Sequence, residues 1–525
     1  MATKTAAVAA RASFIEPLMG FRVDRASRWP ILTFMTLAYL IIGLGAVAAL
    51  GVALTRAPAI EWLDPSTYYQ WLTFHGVLML TMWPHLFESA LWLFTASVVL
   101  HSKVHPIWLA WLGFLLIAIG AVMILLTIWT GEASVMYTTY VPLRAYPTFY
   151  VGHVLYAVGL VCILLTFLLS IVNARLQGNY TGSLPLVTYG MAVAAVICIV
   201  AIVSAVVAFV PAMFWSMRIL VDQLDPLTFK AAFWGMGHTL QYTNVVSMVV
   251  AWYAIAAYAL KARPVSEKFS RYAFALYTVT TVPVFAHHLL VDPTWTPWFK
   301  WLGATFVGII LGIPSIMHGI AVPASIEKKL RQNGARGLFG YLGHWGWSDP
   351  AMIMLFFSVV LFGVGGFDGT VATTAQLNVI LHNTMWIPAH IHGTLAGGMA
   401  VAFMAASYYL LPALGVKIAS RRIGVLQAYL VGFGFAIMIA GMHWAAELGV
   451  PRRTQDIQYI AANIRIPDWF ASMNFMAIGG TLAAIGIYLF VGNMLVSVIR
   501  GLNVNLAAPE PEPAAPLHTM AGASE

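Results

Sequence analysis

Long apolar runs recur along the whole chain and are separated by short polar connections. Each run holds about 20 or more residues with few charges, which is the length that an α-helix needs to cross the hydrocarbon core of a bilayer. The pattern therefore predicts an all-α polytopic membrane protein with about twelve transmembrane helices. The predicted spans are 30–55, 68–100, 107–129, 150–172, 186–210, 228–260, 271–291, 299–322, 351–367, 381–411, 424–447 and 469–497.

Composition supports this class and sets the domain organisation. Of the 525 residues, 61% are hydrophobic and only 9% are charged, whereas soluble proteins carry roughly 25% charged residues. We expect one transmembrane domain over residues 29–500, preceded by a segment over residues 1–28. A disordered tail is expected over residues 501–525, because its Pro-Glu-Pro-Glu-Pro run is typical of low-complexity sequence.

The basic residues are distributed unevenly between the two sides of the predicted bundle. Nineteen of the 27 Lys and Arg residues fall on the side that carries both termini, and cytoplasmic loops of membrane proteins hold such an excess. We therefore expect both termini in the cytoplasm, a bacterial-type inner membrane as the location, and membrane lipid around the helices. This distribution also explains the net charge of +8, so nucleic acid is not expected as a partner.

Six histidines lie near helix ends on four different predicted spans. Imidazoles are costly in lipid unless they are paired or bound to metal, so ionisable residues inside a membrane indicate function. The helix directions place all six in the outer part of the membrane, which predicts a buried metal centre. The two cysteines, Cys162 and Cys198, lie in apolar runs and are expected to be core residues. The six histidines are His75, His238, His287, His288, His390 and His392.

His390 and His392 are separated by one residue, so on an α-helix they point roughly 200° apart. They cannot bind the same ion, but they can bind two cofactors on opposite sides of the helix. The alternative is a pair of polar residues facing the interior of the bundle. A low-spin haem needs two axial imidazoles from facing helices, and His75 is the natural partner for one of the pair. Gly76 beside it would leave room for a flat macrocycle.

His238, His287 and His288 supply three imidazoles for a third metal. Three nitrogen ligands with one open position suit copper, or iron with an exchangeable ligand. Tyr242 follows His238 by four residues, so both lie on one helical face. A phenol beside a metal that handles oxygen can supply a proton and an electron, while an ordinary membrane tyrosine is the alternative interpretation.

Three further residues form a candidate anion site near the outer face. Arg452 and Arg453 lie in an outer loop, and paired guanidiniums bind carboxylates such as haem propionates. His382, eight residues before His390, could reach the same propionates. A plain surface pair of arginines and a capping histidine are the alternatives.

Glu88 is the only carboxylate deep inside a predicted span. It follows His75 by 13 residues, which places it about 20 Å nearer the cytoplasm. We interpret Glu88, with His85 at the i−3 position, as part of a proton path. A buried neutral acid paired with His85 for packing explains the sequence equally well.

These residues occur in segments that resemble a known family. Residues 237–242, the pair His287-His288 and residues 382–392 are similar to subunit I of the haem-copper oxygen reductases. Residues 68–76 and 450–453 are most similar to the B family of cytochrome c oxidases. The likeness extends from about residue 60 to residue 500, in order and with similar spacing.

The resemblance implies a subunit I-like bundle that holds a low-spin haem, for which haem b is favoured. It also implies a high-spin haem of a or b type and a copper ion, CuB. The implied residue roles are His75 and His392 as axial ligands of the low-spin haem, His390 as the proximal ligand of the high-spin haem, His238, His287 and His288 as copper ligands, Tyr242 cross-linked to His238, and Arg452, Arg453 and His382 at the propionates.

The implied activity is that of a terminal respiratory oxidase, which reduces O2 to water and couples this to proton translocation. Electrons would come from cytochrome c or a similar donor, through a partner subunit II with its own copper centre. A nitric oxide reductase on the same scaffold is the alternative, although those enzymes generally lose the tyrosine. A transporter that relays protons through buried histidines is a third class, but it would not need this combination of motifs.

The chain departs from the B-family pattern along the expected proton route. Tyr253 and Ser315 match and are, with Glu88, the candidates for a proton path. The departures are Val249 in place of a tyrosine, His318 and Ala321 in place of threonines, and Asn378 in place of an aspartate near the propionates.

Overall fold

The structure is a computed structural model that describes residues 13–16, 18–457 and 467–501. Within these residues, eleven helices are long and apolar enough to cross a membrane, which confirms the predicted all-α polytopic class. The predicted disordered tail, apart from Gly501, and the first twelve residues lie outside the described residues.

Twelve helical elements follow the predicted spans in order. The helices are α1 Arg28–Thr55, α2 Pro65–Ser97, α3 Ile107–Trp129, α4 Pro147–Leu176, α5 Leu186–Met217, α6 Pro226–Leu260, α7 Glu267–Thr280, α8 Pro297–Gln332, α9 Pro350–Thr373, α10 Trp386–Ala413, α11 Arg421–Glu447 and α12 Pro467–Gly501. The smaller elements are a hairpin of β1 Ser13–Ile15 and β2 Arg22–Asp24, 3₁₀ segments Val282–Leu289 and Gly340–His344, the short helix Ala375–Leu381, and π-helical stretches Leu78–Met82, Trp301–Phe306 and His392–Ala400.

Consecutive helices run antiparallel and are joined by short connections. Hydrogen bonds from the connections are consistent with this alternation: Val104 N donates to Ser27 Oγ at one end, and Met136 N donates to Thr73 Oγ1 on α2 at the other. We call the end where α1 begins and α12 ends the terminal end, and the opposite end the site end.

Acidic caps and prolines begin the helices that later carry the site. Asp64 accepts hydrogen bonds from the backbone N–H groups of Ser66 and Thr67 at the start of α2, directly before Pro65. Asp225 caps α6 in the same way. A carboxylate satisfies N–H groups that have no partner in the first turn, and proline suits the first helical position. The site-end starts of α2 and α6 are therefore fixed by local sequence.

The predicted seventh span is not a continuous α-helix. The α-helix α7 ends at Thr280, and the chain continues as a 3₁₀ helix over Val282–Leu289. Pro283 has no backbone N–H to continue the α-helical hydrogen bonding, which explains the change. His287 and His288 therefore lie on a tighter helix with about three residues per turn.

Glycines allow the last two helices to pack at very short distance. A Cβ on Gly434 would lie 2.4 Å from the backbone nitrogen of Ala483, and one on Gly479 would lie 2.2 Å from that of Met438. Close backbone approach through small residues is how helices associate inside membranes, where hydrophobic burial provides little drive. This packing supports the wall of the bundle on which the site rests.

Candidate metal and cofactor centre

A cavity of about 790 Å³ lies among the helices and is lined by most of the predicted site residues. Its lining is mainly apolar, with a small number of convergent polar groups, which is typical of a cofactor site. The predicted site residues in its wall are His75, His238, Tyr242, His287, His288, Ser315, His382, His390, His392, Arg452 and Arg453.

Three of the imidazoles converge from α6 and the 3₁₀ segment. The nitrogen atoms that His238, His287 and His288 offer all lie within 4.8 Å of one another, and His238 Nδ1 is 2.9 Å from His288 Nε2. Ligands bound at about 2 Å from one ion are separated by up to roughly 4 Å, so the spacing of the three imidazoles is close to that of a metal site. His238 Nε2 is buried and has no hydrogen-bond partner among the described residues.

Neighbouring side chains fix this cluster in place. The indole of Trp234 stacks on His288 with ring centres 3.5 Å apart and planes 2° from parallel, and its N–H donates to the hydroxyl of Tyr140. Lys230 on α6 pairs with Asp292, just beyond the 3₁₀ segment, at 2.7 Å. The ion pair thus ties the helix that carries His238 to the segment that carries the other two imidazoles. Sequence reasoning missed these contacts because they join residues distant in the chain.

Tyr242 lies beside the cluster, as the helical spacing predicted. Its ring centre is 5.3 Å from that of His238, and its ring also lies 5.8 Å from Tyr277 on α7. The phenol faces the cavity and connects the imidazole cluster to a second tyrosine nearer the terminal end.

His75 and His392 face each other across the cavity from α2 and α10. Their ring centres are 6.2 Å apart and their planes are only 12° from parallel. Two imidazoles that bind one metal from opposite sides through bonds of about 2 Å place their ring centres roughly 6 Å apart, so the pair fits the axial ligands of one haem. His392 Nδ1 donates to the carbonyl of Pro388 at 2.7 Å, which orients the ring.

Gly76 lines the cavity beside His75 and also lies against the loop after α3, so its role beside a macrocycle stays a prediction. A Cβ at this position would come within 2.7 Å of Tyr137 Cβ, so the missing side chain makes room for the loop that carries Tyr137. Small residues in membrane helices commonly serve such packing, and the sequence could not show which neighbour approaches.

His390 points to the other side of α10, towards α9. Its Nδ1 donates to the carbonyl of Gly365 at 2.7 Å, which leaves Nε2 as the remaining ring nitrogen for a metal. The structure thus separates His390 from His392 in the way that their spacing predicted. The π-helical stretch that begins at His392 changes the local geometry without bringing the two rings together.

Arg452 and Arg453 project from the loop after α11 into the cavity wall. Arg453 has a left-handed backbone with φ of 67°, a strained conformation that occurs at functional sites. Burial lowers the pKa of Arg452 to about 9, and neighbouring Arg453 contributes in the same direction. Arg452 Nε is buried without a hydrogen-bond partner in the described part of the chain. Two such cations beside an apolar cavity fit the carboxylates of a cofactor.

A third guanidinium, Arg56, was missed by the sequence analysis. It lies at the end of α1 and was counted there with the outer loops, but only 6% of it is exposed. Its Nη2 donates to the carbonyl of Pro451 at 2.6 Å, and the side chain lines the same cavity. His382 also lines the cavity, with Nδ1 3.2 Å from Asn378 Oδ1. Burial and the charge of Arg452 lower the pKa of His382 to about 3.

Within the described membrane-spanning helices, Glu88 is not the only buried carboxylate. Asp368 lies on α9, one residue beyond the predicted end of that span, and is 4% exposed. Its Oδ2 is 2.8 Å from His443 Nε2, and its backbone carbonyl accepts from the indole of Trp386. Through these two contacts, Asp368 connects α9 to α11 and to the start of α10, close to His390.

Glu88 and His85 are both buried within α2 and are not hydrogen-bonded to each other. Neither carboxylate oxygen of Glu88, and neither ring nitrogen of His85, has a hydrogen-bond partner among residues 13–16, 18–457 and 467–501. The hydroxyl of Ser247 on α6 faces Glu88. Glu88 and His85 are therefore buried one turn apart without a hydrogen bond between them.

Comparisons with known proteins agree with this geometry. The sequence model of the family described as cytochrome c and quinol oxidase polypeptide I matches residues 30–505. The cytochrome c oxidase subunit 1 of Thermus thermophilus is 31% identical over 447 residues, which cover 83% of this chain and 77% of that protein. The corresponding subunit of Corynebacterium diphtheriae is 23% identical, over 90% of this chain and 82% of that protein. A heme-copper terminal oxidase dimer solved by cryo-electron microscopy superposes with a TM-score of 0.82 at 25% identity, covering 94% of this chain and 86% of that one.

A multi-pass helical bundle whose imidazoles converge on one apolar cavity fits a membrane-bound metalloenzyme. The chain belongs to the cytochrome c and quinol oxidase polypeptide I family and is a multi-pass haem-copper oxidoreductase, subunit I of a terminal oxidase. The family implies haems and CuB, and the His238–His287–His288 cluster is compatible with the copper.

Proposed function

We propose that this chain reduces O2 to water at a high-spin haem and a copper ion. The observation that carries the proposal is the position of Tyr242, whose ring lies 5.3 Å from a member of a three-imidazole cluster. Breaking the O–O bond without releasing partly reduced oxygen needs a fourth electron and a proton close to the metals. A phenol at this position is a suitable donor of both.

The residue assignments follow the geometry. We assign His75 and His392 to the low-spin haem and His390 to the high-spin haem, while the three clustered imidazoles hold copper. When bound, the haems and copper supply electron storage and the binding of O2. The chain orients the imidazoles through backbone carbonyls and excludes water with an apolar cavity wall.

Three guanidiniums and one imidazole would hold the carboxylates of the haems. Arg452, Arg453, Arg56 and His382 all face the cavity at the site end. Buried cations are stable only when they are paired, so the propionates would complete their hydrogen bonds. The haems would thus be anchored with their charged edges towards the site end.

The remaining partners follow the family resemblance and the charge pattern. We propose haem b at the low-spin site, an a-type or b-type haem at the high-spin site, and electrons from cytochrome c or a similar donor through a copper-bearing subunit II. The terminal end would face the cytoplasm of a bacterial-type inner membrane, because it carries most of the basic residues. Residues 29–500 would form one catalytic domain.

Glu88 and His85 form a proposed proton-holding site on the cytoplasmic side of the haems. Both side chains are fully enclosed, and their polar atoms lack protein partners in the described chain. Buried polar groups are normally satisfied, so such a site suits exchange of protons with ordered water. This proton exchange would be one step of proton translocation across the membrane.

Nitric oxide reduction is the second candidate, favoured by the replacement of route hydroxyls by Val249 and Ala321. Against it stands the composition of the metal cluster, which contains three histidines and no carboxylate among the described residues. The two functions are distinguished by measuring O2 and NO consumption of the purified protein side by side, with the same reduced donor. The proposal predicts O2 uptake with four electrons consumed per O2. Uptake of NO alone would overturn it.

A further inference from the structure

The expected hydroxyl route towards Tyr242 is interrupted at two positions. Val249, eleven residues after His238, is fully buried and offers no polar atom. Ala321 on α8 is equally inert. A proton that moves from the terminal end to the metal cluster must therefore use other side chains.

The part of the route nearest the terminal end contains a continuous polar chain. Ser270, near the start of α7, lies 2.8 Å from the hydroxyl of Tyr253, and this hydroxyl lies 3.2 Å from His318 Nδ1. All three side chains are at most 5% exposed. The imidazole of His318 thus occupies the position at which the route continues past Ala321.

The part of the proton route nearest the metal cluster is formed by α7 instead of α6. The hydroxyl of Tyr277 lies 3.0 Å from Ser315 Oγ, one helical turn from His318. The Tyr277 ring is parallel to the His318 ring within 8°, at 6.1 Å between centres, and is 5.8 Å from Tyr242. Tyr277 therefore supplies, from the neighbouring helix, the phenol that Val249 lacks.

We propose that His318 and Tyr277 replace the missing hydroxyls and form a proton relay from Ser270 to Tyr242. This inference rests on the proposed oxygen reduction. Each group accepts a proton from the terminal-end side and gives its own proton to the next group, so no electron moves and no group gains net charge. Two steps pass through a bridging water: the step from His318 to the Tyr277–Ser315 pair, and the step from that pair to Tyr242.

The unused nitrogen of His318 favours this role over simple packing. Phe274 lies against the imidazole with ring centres 4.3 Å apart, so the ring is held among aromatic groups. His318 Nε2 is nevertheless buried without a partner in the part of the chain that the structure describes. A ring that only filled space would leave this polar atom unsatisfied, a cost that an apolar residue would avoid.

Two substitutions that keep ring packing test the relay. His318→Phe removes both nitrogens, and Tyr277→Phe removes only the hydroxyl. His153→Phe makes the same change as His318→Phe at a half-buried histidine on α4 away from the cavity. His153 packs against Phe209 with ring centres 4.8 Å apart, so it is a matched control. The spectrum of the reduced protein with carbon monoxide establishes that each variant retains its haems.

The measured quantities are proton uptake, followed with a pH-sensitive dye when the fully reduced protein is mixed with O2, and steady-state turnover. We expect both rates to fall by at least about tenfold in His318→Phe and in Tyr277→Phe, with the His153→Phe rates unchanged. An unchanged uptake rate in either relay variant with intact haems overturns the inference. Should His318→Phe fail to fold, His318→Asn and Tyr277→Phe decide the outcome in the same way.

Failure of the proposed function is recognised separately, in the unsubstituted protein. Absence of O2 uptake there contradicts the oxidase assignment. The relay is then judged by proton uptake during NO reduction, which also consumes protons, with the same two variants and the same control.

Discussion

The imidazole of His390 packs directly against the backbone of Gly369 on α9. A Cβ added at Gly369 would lie 2.5 Å from His390 Cε1 and 3.0 Å from Nδ1, so only glycine permits the ring to donate to Gly365. The helix face that carries these glycines therefore sets the position of the proposed high-spin haem ligand.

Gly369→Ala is expected to displace His390 and to destabilise the protein by about 1–3 kcal/mol through overpacking. The content of carbon monoxide-reactive haem, measured per chain from the reduced spectrum, should fall. Gly492→Ala is the control, because a Cβ at that exposed position on α12 meets no atom within 4 Å. Equal haem content in the two variants would show that His390 is not positioned in this way.

The ion pair between Lys230 and Asp292 is expected to hold the copper ligands together. Lys230→Met leaves a half-buried carboxylate without its partner, so we expect copper retention during dialysis against a chelator to fall by about tenfold. Adding Asp292→Asn removes the unpaired charge and should recover part of the loss. A double variant as poor as the single one would indicate that the ion pair does not act through its charge.

Arg452→Gln is expected to lower the midpoint potential of a haem by on the order of tens of millivolts, because a nearby positive charge favours the reduced haem. The measurement is a potentiometric titration followed by optical spectroscopy. Arg144→Gln changes an exposed arginine on the same end of the bundle and should leave both potentials unchanged. If Arg452→Gln and Arg144→Gln had the same haem potentials, the propionates would not lie beside Arg452.

Glu88→Gln preserves the shape of the side chain and removes its exchangeable proton. We expect steady-state O2 turnover to fall by at least about tenfold, with haem and copper content unchanged. Glu132→Gln, at an exposed loop position, provides the matched control. Wild-type turnover in Glu88→Gln would remove Glu88 from the proton path.

Features that depend on local sequence were predicted well. The twelve elements follow from apolar run length, and the opposite directions of His390 and His392 follow from helical periodicity. A partnership of His75 with one of His390 and His392 was expected because a haem needs two facing imidazoles, and the choice of His392 came from the family resemblance. The structure confirms the convergence of these side chains on one cavity.

Features that depend on contacts between distant segments were not predicted. Arg56 was not recognised as a site residue, because its contact with the carbonyl of Pro451 joins positions that are 395 residues apart. Asp368 was placed outside its span because predicted helix ends are uncertain by a few residues. Val249 suggested a broken route, since the sequence does not show that Tyr277 approaches from another helix.

The most direct test of the account is a count of metals in the purified protein by mass spectrometry, combined with the haem content per chain. The account predicts two iron atoms, both in haem, and one copper atom per chain, with copper lost in His288→Ala while both haems remain. A third, non-haem iron in place of copper would contradict it, as would copper that survives the removal of His288.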